Sequence, residues 1–259
     1  MSISIVIPAR NEGASLDLLL PRLKEAVPGA EIVVVNDGSA DGTAAISIKH
    51  GALVVGHPYA KGNGAAVKTG ARSANGEVLV FMDADGQHRP EDIPKLLTAH
   101  RRWPGRPIIA ARLERREFAP PLRRFANGMA DFWVSWAAGC PIADTQSGFR
   151  LYPAELLRRA AGPEKGRRGF AFESALLIEA GRQGRYPIAV AIETIYHPHG
   201  RPSHYRPWRD TLRIVDLVAR SLFRSGMYPV GLLRSLRLLP LPADRDEGHF
   251  KQTDSEEKK

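Results

Sequence analysis

The sequence predicts an α/β fold: a Rossmann-like, mostly parallel sheet with helices on both faces. Three observations predict it. Short apolar runs recur through the first half of the chain, helical stretches separate them, and the polar, glycine-bearing motifs follow the runs. This is the grammar of successive βαβ units, in which ligands bind at the carboxyl ends of the strands.

The first strand is expected at Ile3 to Ile7, leading into Ala9-Arg10-Asn11-Glu12, and the second at Glu31 to Val35, leading into Asn36-Asp37-Gly38-Ser39. A third run, Leu53 to Val55, is followed by Gly62-Asn63-Gly64-Ala65-Ala66-Val67. That segment departs from the dinucleotide fingerprint, because its sixth position is Val67 and it does not directly follow the first strand. Its glycines either form a plain turn or open the helix expected from Gly64 to Ser73, whose free N–H groups, with Lys61 beside them, would face a diphosphate. The fourth strand, Val78 to Met82, ends in Asp83-Ala84-Asp85-Gly86-Gln87; a helix at Glu91 to His100 and a fifth strand at Pro107 to Ala111 complete the pattern.

The second half is less regular. Glu173 is expected to open an amphipathic helix to about Gln183, and Trp208 to Phe223 reads as another, with Trp208, Leu212, Val215, Ala219 and Leu222 on its apolar face. Met227 to Leu239 is apolar, basic and broken by proline, a profile that fits either an interfacial segment on anionic lipid or packing against the domain. The expected organisation is one domain at 1–225, this segment at 226–240 and a disordered charged tail at 241–259.

Asp83 and Asp85 carry the strongest chemical signal. In an extended segment residues i and i+2 point the same way, so both carboxylates can converge on one hard cation. The ordinary alternative is a solvated acidic turn. The basic residues are unevenly spread: residues 1–100 carry 9 Lys and Arg against 11 Asp and Glu, and residues 101–240 carry 24 against 11. A positive surface in the second half suits phosphate groups, anionic headgroups or nucleic acid. The single cysteine, Cys140, excludes an internal disulfide framework and reads as a small core residue. No apolar run reaches the length of a membrane span and no signal peptide is evident, so a cytoplasmic location is expected.

Five motifs in order, IPARNE, VVNDGSADGT, KGNGAAVKTGA, DADGQHRPEDI and DTQSGFRLY, carry a resemblance that spans roughly residues 3–206. The chain resembles inverting family 2 glycosyltransferases of the GT-A fold, especially the branch of dolichol-phosphate mannosyltransferase and bacterial polyprenyl-phosphate glycosyltransferases. The resemblance implies that Pro8, Ala9, Asn11 and Glu12 flank a nucleotide and that Asp37 hydrogen-bonds its base. Asn36 replaces the first acid of the commoner DDGS pattern. Asp83, Asp85 and Gln87 resemble the ligands of Mg²⁺ or Mn²⁺ on the sugar-nucleotide diphosphate.

In the lipid-phosphate branch, an arginine near an Ala-Asn pair and the serine of the SGFR segment hold the acceptor phosphate. Arg124, ahead of Ala126-Asn127, and Ser147 take those positions here. Ala143 stands where that branch often has an arginine. The stretch from His199 to Arg206, with Arg201 and His204, resembles the basic loop that closes over the diphosphate, His204 standing where a lysine is frequent.

The expected function is therefore metal-dependent, inverting transfer of a sugar from a nucleoside-diphosphate sugar to a polyprenyl phosphate, on the cytoplasmic face of the membrane. A phosphate monoester is largely ionised at neutral pH and needs cations rather than a general base. A hydroxyl acceptor, the nearest alternative, would require a base, Glu173 or Asp144. Acids at helix N-termini are also favourable in themselves, which is the structural reading of Glu173. A non-catalytic module binding polyanions is the alternative from another class; no nucleic-acid recognition motif supports it.

Overall fold

The computed structural model describes residues 1–112, 121–160, 171–193 and 207–242. Seven strands form one sheet: β1 (Ile3–Ala9), β2 (Glu31–Asp37), β3 (Leu53–His57), β4 (Val78–Phe81), β5 (Ile108–Ala111), β6 (Arg150–Pro153) and β7 (Ile188–Ala191). Their order is β3-β2-β1-β4-β6-β5-β7. β6 runs antiparallel to both β4 and β5, and the remaining pairs are parallel. The expected mostly parallel sheet is present.

Strand alternation explains why the apolar runs are nearly continuous. In β1 the side chain of Val6 enters one core while Ile5 and Ile7 enter the other, and in β2 Val33 and Val35 oppose Ile32 and Val34. Helices α1 (Gly13–Ala26) and α4 (Ile93–Arg102) cover the second core through Leu16, Leu20, Leu23, Ile93 and Leu96. The first core is covered by α3 (Asn63–Ser73), α5 (Pro121–Ala138), α6 (Ala154–Ala160), α7 (Ala171–Arg182) and α8 (Pro207–Arg224). Two seven-residue helices, α2 (Thr43–Lys49) and α9 (Pro229–Ser235), and a 3-10 turn at Pro90–Asp92 complete the regular elements of the described residues.

Three expectations are corrected. β6 and β7 were not foreseen: each is only four residues long, and β6 begins with a charged residue, Arg150. Helix α7 is not amphipathic, since every residue from Phe172 to Ile178 is buried, so it has no solvent face to produce a 3.6-residue pattern. On α8 the inward side chains are Ile214, Val218 and Leu222, whereas Val215 is exposed; Trp208 and Leu212 lie outside the described side chains. Cys140 is a buried core residue as expected, and burial pushes its thiol up to about 12.

The segment after α8 packs on the domain. Trp136 Nε1 on α5 donates to the carbonyls of Met227 (3.0 Å) and Tyr228 (3.2 Å), and Gly231 of α9 is buried while Val230, Leu233 and Leu236 are exposed. Among the described residues no helix is long and apolar enough to cross a membrane. The tail beyond residue 242 lies outside the described residues.

Candidate active site

The loops after β1 and β2 are laced into one unit at the carboxyl edge of the sheet. Asn11, at a φ of 57°, donates its N–H to Ser39 Oγ (2.9 Å) and accepts at Oδ1 from the Ala40 N–H (2.8 Å). The Glu12 N–H donates to Thr43 Oγ1 (3.0 Å) and the Gly13 N–H to Asp41 Oδ2 (3.1 Å). Pro8 is half-buried and Ala9 buried just before this junction. Asn36, in the place of an acid, accepts the Ser39 N–H at 3.0 Å.

Asp37 is buried, and both its oxygens are engaged. Oδ1 accepts from the Lys61 N–H (2.8 Å) and from His57 Nδ1 (2.7 Å), and Oδ2 accepts from the Gly62 N–H (2.8 Å). A carboxylate only accepts, so His57 carries its proton on Nδ1; its Nε2 lies 2.9 Å from Thr69 Oγ1. Burial pushes the Asp37 carboxyl up, but His57 and the two backbone N–H groups outweigh it and hold the group below its ordinary value. Asp37 thus pins the start of α3 to β2, whatever else it touches. Gly62, at a φ of 91°, turns the chain into that helix, where a side chain would be strained. The Lys61 ammonium is exposed, 5.7 Å from the Tyr59 ring centroid.

Beyond β4 the chain does not stay extended as expected; it turns. The Gln87 N–H donates to Asp85 Oδ1 (3.0 Å) and Gly86 has a φ of 74°. In this turn Ala84 is buried, Asp83 half-buried and Asp85 exposed. His88 is buried, packs against Phe149 with ring centroids 5.1 Å apart and planes tilted by 46°, and has Nε2 3.8 Å from Asp83 Oδ2, while its Nδ1 is buried without a hydrogen-bond partner. Among the described residues no group of three or more His, Cys, Asp and Glu is gathered to hold a metal. Two carboxylates and an amide at the rim are an incomplete oxygen set. That set fits Mg²⁺ or Mn²⁺ if the cation takes its remaining ligands from a diphosphate.

The opposite wall is the loop from Gly139 to Phe149. Arg112, at the end of β5, grips Asp144 with Nε and Nη2 (2.8 and 2.7 Å). Asp131 on α5 accepts from the N–H groups of Asp144 (3.1 Å) and Thr145 (2.7 Å) and from Thr145 Oγ1 (2.7 Å). Ser147 is turned inward: it is 1% exposed and donates to the Ala110 carbonyl at 2.8 Å. Glu173 is buried at the start of α7. Burial pushes its carboxyl up to about 7; the positive charge of Arg150 opposes this and the negative charge of Asp83 adds to it.

Arg124 is exposed on α5. Arg201 and His204 lie outside the described residues. The structure thus brings Pro8, Ala9, Asn11, Glu12, Asp37 and Lys61 to one stretch of the sheet edge and Asp83 near Glu173. Sequence reasoning missed His57, Arg112, Asp131 and Arg150. Of these, only Arg150 lay inside a recognised motif, and His57 closes the third apolar run, where a polar ending is itself a signal.

Comparison with known proteins gives consistent results. Residues 4–125 match the family described as Glycosyl transferase family 2. The chain is 31% identical over 209 residues to an undecaprenyl-phosphate mannosyltransferase of Micrococcus luteus, covering 74% of this chain and 83% of that protein. It is 30% identical over 215 residues to a polyprenol monophosphomannose synthase of Mycolicibacterium smegmatis, covering 73% of this chain and 75% of that one. A crystal structure of glucosyl-3-phosphoglycerate synthase from Mycobacterium tuberculosis, in complex with Mn²⁺, uridine diphosphate and glucosyl-3-phosphoglycerate, superposes with a TM-score of 0.63. That match covers 87% of this chain and 80% of the other at 22% identity, a likeness of fold.

Proposed function

Since the chain belongs to glycosyl transferase family 2, we propose that it moves a sugar, with inversion, from a nucleoside-diphosphate sugar to a polyprenyl phosphate. The chain is a glycosyltransferase with the GT-A fold. The non-catalytic alternative falls with that. The observation that carries the reading is the arrangement at the sheet edge, where the Asp83–Gln87 turn stands at the mouth of β4, next in the sheet to the β1 and β2 loops.

The donor lies over the β1 and β2 loops, with Asn11 and Glu12 lining it and Asp37 fixing both the base-side loop and the start of α3. Lys61 offers its ammonium to the diphosphate. Asp83, Asp85 and Gln87 would hold Mg²⁺ or Mn²⁺, which when bound offsets negative charge on the departing diphosphate. The acceptor phosphate arrives already ionised, so the chain has to orient it and not to deprotonate it. Arg124 is the exposed cation for that task. The inward hydroxyl of Ser147 leaves it a share in shaping the wall in this conformation.

A membrane-surface acceptor is supported by an apolar face wider than residues 226–240. Phe125, Met129 and Trp133 recur at helical spacing on α5, directly after Arg124, with 68%, 40% and 36% exposure. Val230 and Leu233 of α9, a helix that packs on α5, and Leu236 just after it are also apolar and exposed, and Arg224 and Arg237, on either side of α9 in sequence, are exposed as well. Such a combination suits the headgroup boundary of an anionic bilayer. The assignment of 1–225 as the catalytic unit belongs to the same proposal.

One observation favours a second reading. A carboxyl near 7 is matched to general-base work, so Glu173 suits a hydroxyl acceptor. Asp144 does not, being clamped by Arg112. A thermal-shift panel of nucleoside diphosphates with and without Mn²⁺ tests the donor side: stabilisation that depends on both supports the reading, and none with any nucleotide refutes it.

A further inference from the structure

Gly148 stands where any side chain would collide with the carboxylate of Asp83. A β-carbon built on Gly148 would lie 2.4 Å from Asp83 Oδ2, 2.9 Å from Cγ and 3.0 Å from Oδ1. Contacts under 3.0 Å are essentially never made by real β-carbons, so the backbone of residue 148 itself walls the carboxylate. Gly148 is not among the glycines of positive φ. It is therefore the space, and not the backbone conformation, that calls for a bare α-carbon here.

The backbone that makes this wall is held from inside. Arg150, 1% exposed, donates from Nε to the Ser147 carbonyl (2.6 Å), from Nη2 to the Thr145 carbonyl (2.7 Å) and from Nη1 to Tyr152 Oη (3.1 Å). Ser147 anchors the same turn to β5 through the Ala110 carbonyl. Phe149 supports the His88 ring, whose Nε2 faces Asp83 Oδ2 at 3.8 Å. Asp83 is thereby bounded by Gly148 and by His88.

We infer that the Thr145–Arg150 turn sets the orientation of the Asp83 carboxylate for its cation, with Gly148 as the contact and Arg150 as the brace. Both are positioning residues, and the inference rests on the metal reading proposed above. An aspartate side chain on a turn has two free torsions, while a metal seat tolerates misplacement of only about half an ångström. A buried guanidinium that fixes the carbonyl groups of Thr145 and Ser147 supplies that rigidity.

The atom that Gly148→Ala would displace is the tip of a flexible side chain, so the substitution should turn the carboxylate and spare the fold. The test compares wild type, Gly148→Ala, Asp83→Ala and the double variant by calorimetric titration with UDP and GDP, in Mn²⁺ and in EDTA, with thermal unfolding of each apo protein. Gly148→Ala should unfold within a few degrees of wild type, keep the affinity measured in EDTA, and lose most of the gain that Mn²⁺ gives. Combined with Asp83→Ala it should cost nothing further, since it acts through that residue. Arg150→Lys, which keeps the charge but cannot bridge both carbonyls, should lose part of the Mn²⁺ gain. An undiminished Mn²⁺ gain in Gly148→Ala, a loss equal in Mn²⁺ and EDTA, a further loss in the double variant, or failure of Gly148→Ala to fold would each overturn the inference. A wild type that binds nucleotide without regard to Mn²⁺ removes the metal reading and the inference together.

Discussion

Arg112 closes a two-pronged ion pair on Asp144, with Nε to Oδ2 at 2.8 Å and Nη2 to Oδ1 at 2.7 Å, and its backbone N–H donates to the same Oδ2 at 2.9 Å. Asp144 is 4% exposed and adopts a φ of 53°, so the pair ties the end of β5 to a strained corner of the site wall. Removing the guanidinium takes two charge-assisted hydrogen bonds from a buried carboxylate. Arg112→Met should therefore destabilise the chain by about 3–5 kcal/mol. Adding Asp144→Asn should recover part of that loss in urea denaturation. A single variant as stable as wild type would show that the pair is ornamental.

Asp37 gives an acid-range signature. Its folded pKa lies below the ordinary 3.8, so its stabilising effect is complete above that value and is lost as the pH falls through the lower folded pKa. Asp37→Asn should be less stable than wild type at neutral pH, with the gap closing below about pH 4. It should also weaken nucleotide binding by about 1.5–3 kcal/mol through loss of charge-assisted hydrogen bonds that fix the loop. Calorimetry with GDP and UDP reads the second effect; unchanged affinity for both would detach Asp37 from the donor site.

Glu173 should act in the opposite sense. Its folded pKa of about 7 lies above the ordinary 4.5, so wild type loses stability as the pH rises from 4.5 to 7 and then levels off. The shift is worth about 3 kcal/mol. Glu173→Gln should match wild type near pH 4 and exceed it at pH 8, as measured by parallel denaturation curves. A constant difference across that range would mean that Glu173 is not titrating in the folded protein.

The exposed aromatic stripe of α5 predicts lipid binding. Phe125→Ser with Trp133→Ser should reduce cosedimentation with anionic vesicles by about tenfold or more, given 1.5–3 kcal/mol for a fully buried side chain of this size. Phe125 is 68% exposed, so Phe125→Ser alone should leave thermal stability unchanged, whereas Trp133 stacks on Trp136 at 5.3 Å and its loss should lower it somewhat. Equal sedimentation of variant and wild type would place the contact elsewhere.

Much of the first half was legible because both faces of its sheet are covered, so β1, β2 and β4 read as plain apolar runs and their polar endings mark the site. Strand β6 was not legible. Its pairing with β4 and β5 is antiparallel and distant in sequence, and its leading residue, Arg150, is a buried charge whose partners are the carbonyls of its own loop. Helix α7 was legible as a helix but not as a buried one, since the run from Phe172 to Ile178 is covered all round and carries no amphipathic period. The Asp83–Gln87 motif announced donor chemistry, yet nothing in a linear reading showed that Gly148 presses on Asp83 or that the Ser147 hydroxyl points inward. Those facts depend on the antiparallel pairing of β4 with β6.

The acceptor decides between the two readings of the site. Purified protein given Mn²⁺, a panel of nucleoside-diphosphate sugars and equal amounts of a short polyprenyl phosphate and free sugar acceptors should form a prenyl-phosphate sugar from at least one donor. That activity should disappear in EDTA, and Arg124→Ala should raise the KM for the prenyl phosphate far more than for the donor. Transfer to a sugar hydroxyl, with no product on any prenyl phosphate, would contradict the account and leave Glu173 as the base of a hydroxyl-directed enzyme.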